Sequence, residues 1–202
     1  MLKELFEAHF YGTFPKVGNK VFMLNERSIT GDFSLIDQTA CSDCRHVCDE
    51  ILEKREQLKV HCDHEVNIIS MNQVFSFVRE EVGEICDYML DTTNTTILVE
   101  MTCSTSKYVI GKRQKARGQL YNTLCRLYAN PVVRDHIEKN TMRYVVFSWK
   151  ETISQEGEMD STESSMKEMT ILVDSVYSPD NESNFDFGFK LKEIRYPDRL
   201  IC

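Results

Sequence analysis

Apolar and polar positions alternate between two periods along this chain, and the changes of period mark its elements. At the start, Leu2, Leu5, Phe6 and Phe10 fall on one side of an amphipathic helix over residues 1–10. Tyr11 to Gly31 holds Gly12, Pro15, Gly18 and Gly31 and reads as loop, with one short strand at 20–24. From Asp37 to Leu58, Cys41, Cys44, Cys48, Ile51, Leu52 and Arg55 recur at three-to-four spacing, which predicts a helix. Four strands are predicted next, at 65–70, 74–79, 84–90 and 95–103, with Asp91-Thr92-Thr93-Asn94-Thr95 as a hairpin turn.

The period then returns to helical. A helix starts at Ser106 or Gly111 and runs to Tyr128, closed by Asn130-Pro131, and a shorter one covers 132–140. Arg143–Trp149 is a strand with at least one buried face, and a last strand is expected at 187–194. Residues 151–168 are acidic and Ser-rich and read as a mobile loop, while 169–177 fits helix or strand. Helix, hairpin-rich sheet, helix and strand together give an α/β (α+β) class, a central mixed sheet flanked by helices. The 202 residues suit one domain, with its core at about 37–150 and C-terminal elements at 169–202.

Composition narrows the picture. No apolar run approaches the roughly 20 residues of a membrane span. The opening MLKELFEAHF lacks a signal-peptide layout, so an intracellular protein with reduced thiols is expected. A net charge of −8 argues against indiscriminate coating of nucleic acid. The distribution matters more: between Met101 and Arg134 there is no acid, while Lys107, Lys112, Arg113, Lys115, Arg117, Arg126 and Arg134 are basic. That block is read either as an anion site, phosphate above all, or as a solvated helix face.

The stretch Gly83–Leu124 carries the chemistry. Asp87 ends one short apolar segment, and Glu100 ends the β-branched run Thr95–Val99 thirteen residues later. Two carboxylates on neighbouring strands beside an ammonium can hold a divalent metal against a phosphodiester and offset its developing charge. Lys112, Lys115 and Gln119 share one helical face at i, i+3 and i+7. Arg113 and Arg117 lie on another face, suited to backbone phosphates.

These residues, over about Glu80–Tyr128, resemble the PD-(D/E)XK nuclease superfamily. In spacing they are most similar to the N-terminal cap-snatching endonuclease domains of segmented negative-strand RNA virus polymerases. Glu100-Met101-Thr102 followed by Lys112 and Lys115 is similar to the E-x-T variant with its lysine on the next helix. Cys86, not proline, precedes Asp87, and position 102 is Thr rather than Lys. The resemblance implies a Mn²⁺- or Mg²⁺-dependent endonuclease acting on RNA, one or two ions, and other polymerase subunits or domains as partners.

It also implies roles. Asp87, Glu100 and the Met101 carbonyl would be hard oxygen ligands. A third acid is expected upstream, Glu50 first and Glu53 second, with His46 one turn before Glu50 as a further ligand that favours Mn²⁺. Lys115 would be catalytic, and Lys107, Lys112, Arg113, Arg117 and Gln119 would contact nucleic acid. Two other functions stay open: a catalytically degenerate nuclease fold kept as a binding or scaffold module, and a bacterial-type DNA nuclease of the same superfamily. A structural zinc at Cys41, Cys44, Cys62 and His64 is disfavoured, because Cys41, Cys44 and Cys48 match an apolar helix face and the spacing misses a paired knuckle.

Overall fold

The architecture comes from a computed structural model, which describes residues 2–11, 24–36, 56–78, 83–104, 109–151 and 182–202. The N-terminus forms α1 (Leu2–Leu5), continued by a π-helical turn at Phe6–Phe10. Two long strands follow, β1 (Glu26–Ile36) and β2 (Glu56–Ser70), then a short helix α2 (Met71–Ser76). A tight hairpin pairs β3 (Tyr88–Asp91) with β4 (Thr95–Ser104). The long helix α3 (Val109–Tyr128) and α4 (Pro131–Lys139) lead to β5 (Met142–Glu151). The chain closes with β6 (Glu182–Asn184), β7 (Lys190–Arg195) and β8 (Arg199–Ile201).

The described strands form one mixed sheet of eight, in the order β1-β2-β3-β4-β5-β7-β6, with β8 on a second stretch of β2. This is an α/β fold. Strands β2, β3 and β4 run as an antiparallel meander, and β5 joins β4 in parallel after the crossover through α3 and α4. Among the described residues no helix is long and apolar enough to cross a membrane.

Strand alternation sorts the core onto two sides. Met89, Leu98 and Val145 face α3, where they meet Leu120, Leu124 and Leu127 together with Leu2, Phe6 and Phe10. Ile97, Val99 and Val146 face the other way, onto Leu58, Val60 and Leu90 of the curled meander. A buried hydrogen bond, Ser148 Oγ donating to the Gln57 carbonyl at 2.7 Å, ties the start of β2 to β5. Asn130 caps α4, accepting from the N–H groups of Val132 and Val133 at 3.0 Å, with Pro131 at the first helical position.

Several expectations are corrected. Residues 74–79 were expected as strand, but Val74–Ser76 belong to α2. Met71, Val74 and Phe75 bury the helical i, i+3, i+4 set, and Ser70 Oγ accepts from the Gln73 N–H at 3.4 Å. The helix expected to reach Leu58 does not: Glu56–Leu58 already belong to β2, while 37–55 lie outside the described residues. Of the loop expected over 11–31, residues 26–31 are instead the first half of β1, where Gly31 takes φ +91° at a register shift against β2, and 12–23 lie outside the described residues. The segment 84–90 is strand only from Tyr88, and the expected strand at 187–194 begins at Lys190. The stretches 20–23 and 152–181 lie outside the described residues.

The all-thiol expectation is also corrected. Cys62 and Cys202 are disulfide-bonded, because the parallel pairing of β8 with β2 brings position 202 beside position 62. Cys62 is therefore committed away from a zinc site with His64, and Cys41 and Cys44 lie outside the described residues.

Candidate active site

Asp87 is held by backbone on both sides before its side chain is considered. Its N–H donates to the Val99 carbonyl and its carbonyl accepts from the Met71 N–H, each at 2.9 Å. It therefore sits where β3 splays from β4 and α2 begins. Its carboxylate then crosses to β4, with Oδ2 accepting from the Met101 N–H at 2.9 Å. Along a strand, the N–H and C=O of one residue point to the same side, so the Met101 carbonyl opens toward the Asp87 side as well.

Glu100 shares the parity of Leu98 and so projects to the α3 side of the sheet. The two carboxyl side chains, 6% and 7% exposed, line one cleft of about 200 Å³ with Met101, Thr102, Asn72, Ile85, Lys112, Lys115 and Gln119. Burial of two like charges near each other is expensive unless a cation offsets it. Here two ammonium groups form the opposite wall.

The helical wall is registered by α3 itself. Gln119 Nε2 donates to the Ile85 carbonyl at 3.1 Å, and Thr123 Oγ1 accepts from the Cys86 N–H at 2.9 Å while donating to the Gln119 carbonyl at 2.8 Å. Asn122 Nδ2 donates to the Glu84 carbonyl at 3.4 Å. Three side chains of one helix thus bind the backbone of the segment that delivers Asp87. Thr123 is fully buried, so losing its hydroxyl would strand the Cys86 N–H at roughly 1–3 kcal/mol. Burial pushes the Cys86 thiol well up, so it stays protonated beside the carboxylates.

Lys115 Nζ reaches Glu84 Oε1 at 2.9 Å at the lip of the cleft. That hydrogen bond, with the negative charges of Glu84 and Glu100, raises its pKa, so the ammonium is retained at neutral pH. Both side chains are more than half exposed, and such a pair is worth only about 0–1 kcal/mol, so a phosphate can displace Glu84.

Asp87, Glu100, Met101, Lys112, Lys115 and Gln119 are therefore brought together from separate elements. Others fall elsewhere. Arg113 points to β7 and pairs with Glu193 at 2.7 Å, and Arg117 lies over the Phe185 ring at 5.4 Å; neither lines the cleft. Gln119 lines the cleft but commits its amide nitrogen to Ile85. His46, Glu50, Glu53 and Lys107 lie outside the described residues. Thr102 lines the cleft as the last residue of the E-x-T motif, while Asn72 and Glu84 were not anticipated; for Asn72 the available signal was Ser70 as a helix cap two positions before it.

The donor set suits a hard cation: two carboxylates, a backbone carbonyl and the Asn72 amide, while the Met101 thioether packs in the core on the other side of the sheet. Among the described residues no group of three or more His, Cys, Asp or Glu side chains is arranged to hold a metal, so Asp87 and Glu100 stand as a pair. No family model, no curated protein and no solved structure matches the chain.

Proposed function

We propose that the chain is a divalent-metal-dependent endonuclease that hydrolyses phosphodiesters in RNA, of the cap-snatching kind found in viral polymerases. The observation that carries this reading is the single cleft that opposes Asp87 and Glu100 to Lys112 and Lys115. The arrangement supports it: Asp87 immediately precedes β3, Glu100 lies on the neighbouring β4 and α3 packs behind them, close to the adjacent-strand acids and backing helix that the resemblance implies.

Asp87, Glu100 and the Met101 carbonyl would hold Mn²⁺ or Mg²⁺, which when bound polarises the phosphoryl oxygens and activates water. The chain's own cations complete the work. Lys115 lies within reach of a phosphate seated against the carboxylates, and it can neutralise charge or orient the attacking water. Lys112, one turn earlier on the same wall, would hold the neighbouring phosphate as a point charge.

A second reading is favoured by the Lys115–Glu84 pair, which engages the candidate catalytic ammonium: a degenerate nuclease fold that binds without cutting. Labelled single-stranded RNA and DNA, incubated with Mn²⁺ or with EDTA, separate the two. Mn²⁺-dependent cutting by the wild type that vanishes in Glu100→Ala is the expected result. No cutting by the folded wild type, with binding retained, selects the inert module. Cutting of DNA in preference to RNA selects a DNA nuclease of the same type.

A further inference from the structure

Helix α3 has an exposed face that its packing does not explain. Over Val109–Tyr128 the chain has five cations, Lys112, Arg113, Lys115, Arg117 and Arg126, and no acid. Lys112, Lys115, Gly118 and Tyr121 follow one another at steps of three, and all four are exposed. Residues three apart on a helix surface are neighbours about 5–6 Å apart. The row therefore runs obliquely from the wall of the carboxylate cleft, over the crest of the helix, to the flank that meets the C-terminal turn.

Each position has its own peculiarity. Lys112 and Lys115 line the cleft. Tyr121 is 44% exposed, a large ring left in solvent, and it leans on Phe187 with ring centroids 6.0 Å apart. Phe187 is itself held at φ 58°, in the left-handed region that a bulky residue rarely adopts, and is fixed on its other side by Tyr128 at 4.6 Å. Gly118 sits mid-helix, where glycine is less favourable than almost any other residue. A Cβ built there meets nothing within 4 Å among the described residues, so none of those neighbours requires its absence. A missing side chain between two lysines and an exposed ring leaves a low saddle through which an extended backbone could pass close to the helix.

We infer that this row is a docking track for single-stranded nucleic acid: phosphates on Lys112 and Lys115, the backbone over Gly118, and a base stacked on Tyr121. Cations that track a backbone and an aromatic face that takes any base are the two elements of sequence-tolerant single-strand binding. Arg117, one turn before Tyr121, adds charge at the far end. The inference rests on the nuclease reading for its direction, because it gives the strand held in the cleft a way out.

The test is fluorescence polarisation of labelled single-stranded RNA in EDTA, long enough to overrun the row, with duplex RNA alongside. Tyr121→Ala is expected to weaken single-strand binding about tenfold, the stacking of one base. Gly118→Gln is the sharper variant: it is expected to raise the melting temperature, since glutamine is the better helix former, and yet weaken binding several-fold. Wild-type affinity in both variants would overturn the track, as would equal affinity for duplex with equal sensitivity to the substitutions. Metal-dependent cutting by the wild type is scored separately. Its absence would remove the nuclease reading without changing the EDTA result, and a failed EDTA result would remove the track without touching catalysis.

Discussion

Asp87 Oδ2 accepts the Met101 N–H at 2.9 Å, so a carboxylate proposed as a metal ligand also splices the strand end that carries the other one. This couples stability to function in a readable way. Asp87→Ala leaves a buried N–H without an acceptor and is expected to destabilise the fold by about 1–3 kcal/mol in urea unfolding. Asp87→Asn keeps a carbonyl oxygen in place and is expected to recover most of that loss. Neither variant should cut RNA. An inactive Asn variant of wild-type stability separates the carboxylate's charge from its splice; a fully active one would remove Asp87 from the chemistry.

The same pair predicts a ligand effect. Two largely buried carboxylates repel without a cation, and a ligand that binds only the folded state stabilises it by about 2.7 kcal/mol at a hundredfold excess over its dissociation constant. Mn²⁺ is therefore expected to raise the melting temperature of the wild type and to leave Glu100→Ala unmoved. An equal response in the two proteins would place the ion elsewhere.

What could be read from local sequence follows physical reach. The β-branched run ending in Glu100, the leucine stripe of α3 and the strand at Arg143–Trp149 are periodic over enough residues to declare themselves, and they frame the cleft. Val74-Phe75-Ser76-Phe77-Val78 is rich in β-branched and aromatic residues and so reads as a strand, but Met71, Val74 and Phe75 with a Ser70 cap belong to a helix; a five-residue window cannot decide between them. Strand β1 was hidden by Gly31, whose positive φ serves a register shift rather than a loop. The roles of Gln119 and Arg113 were beyond reach, since which backbone or carboxylate an α3 side chain meets depends on how the helix lies on residues 84–86 and on β7. The Cys62–Cys202 bond joins positions 140 apart and depends on the parallel β2–β8 register.

At the opposite end of β3, Asp91 anchors a network unrelated to the cleft. Its Oδ1 accepts from Thr96 Oγ1 and Asn140 Nδ2, and its Oδ2 from His136 Nε2, all at 2.9 Å. The carboxylate is 5% exposed and ties the β3–β4 hairpin to α4. Asp91→Ala strands several buried donors at once and is expected to cost about 2–4 kcal/mol in chemical denaturation. The Mn²⁺-induced shift in melting temperature should survive in whatever fraction stays folded, which separates this acid from Asp87.

On the outer face of β2, His61 bridges Asp32 at 2.9 Å and Asp63 at 3.2 Å, while Arg199 reaches the same Asp32 oxygen at 3.0 Å. The hydrogen bonds to Asp32 and Asp63 raise the His61 pKa, and the bond to His61 lowers that of Asp32. The signs then set the window. Stability from His61 is complete below the ordinary imidazole value of about 6.5 and is lost as pH rises through the higher folded value. Stability from Asp32 is present above its ordinary value and is lost as pH falls through the lower folded one. A melting-temperature profile should therefore decline as pH rises above about 6.5 and through the raised folded value, and His61→Gln should flatten that decline. An unchanged slope in the variant would assign it to other groups.

The Cys62–Cys202 bond fastens β8, three residues long, to β2. A cross-link spanning 140 positions removes much of the unfolded chain's freedom, about 3–5 kcal/mol in the loop-entropy account. Reduction by TCEP is expected to lower the urea midpoint by a corresponding amount, and Cys202→Ser should match the reduced wild type and show no further response to reductant. The consequence for the site is small by construction: β8 contacts β2 at Lys59–His61, on the stretch of that strand away from β3 and Asp87. Mn²⁺ binding and RNA cutting measured below the melting temperature should be the same with and without TCEP. A loss of activity on reduction would mean that the hydrogen bond between Gln57 and Ser148 transmits the state of the far edge of β2 to β5, and through it to the strand that bears Glu100.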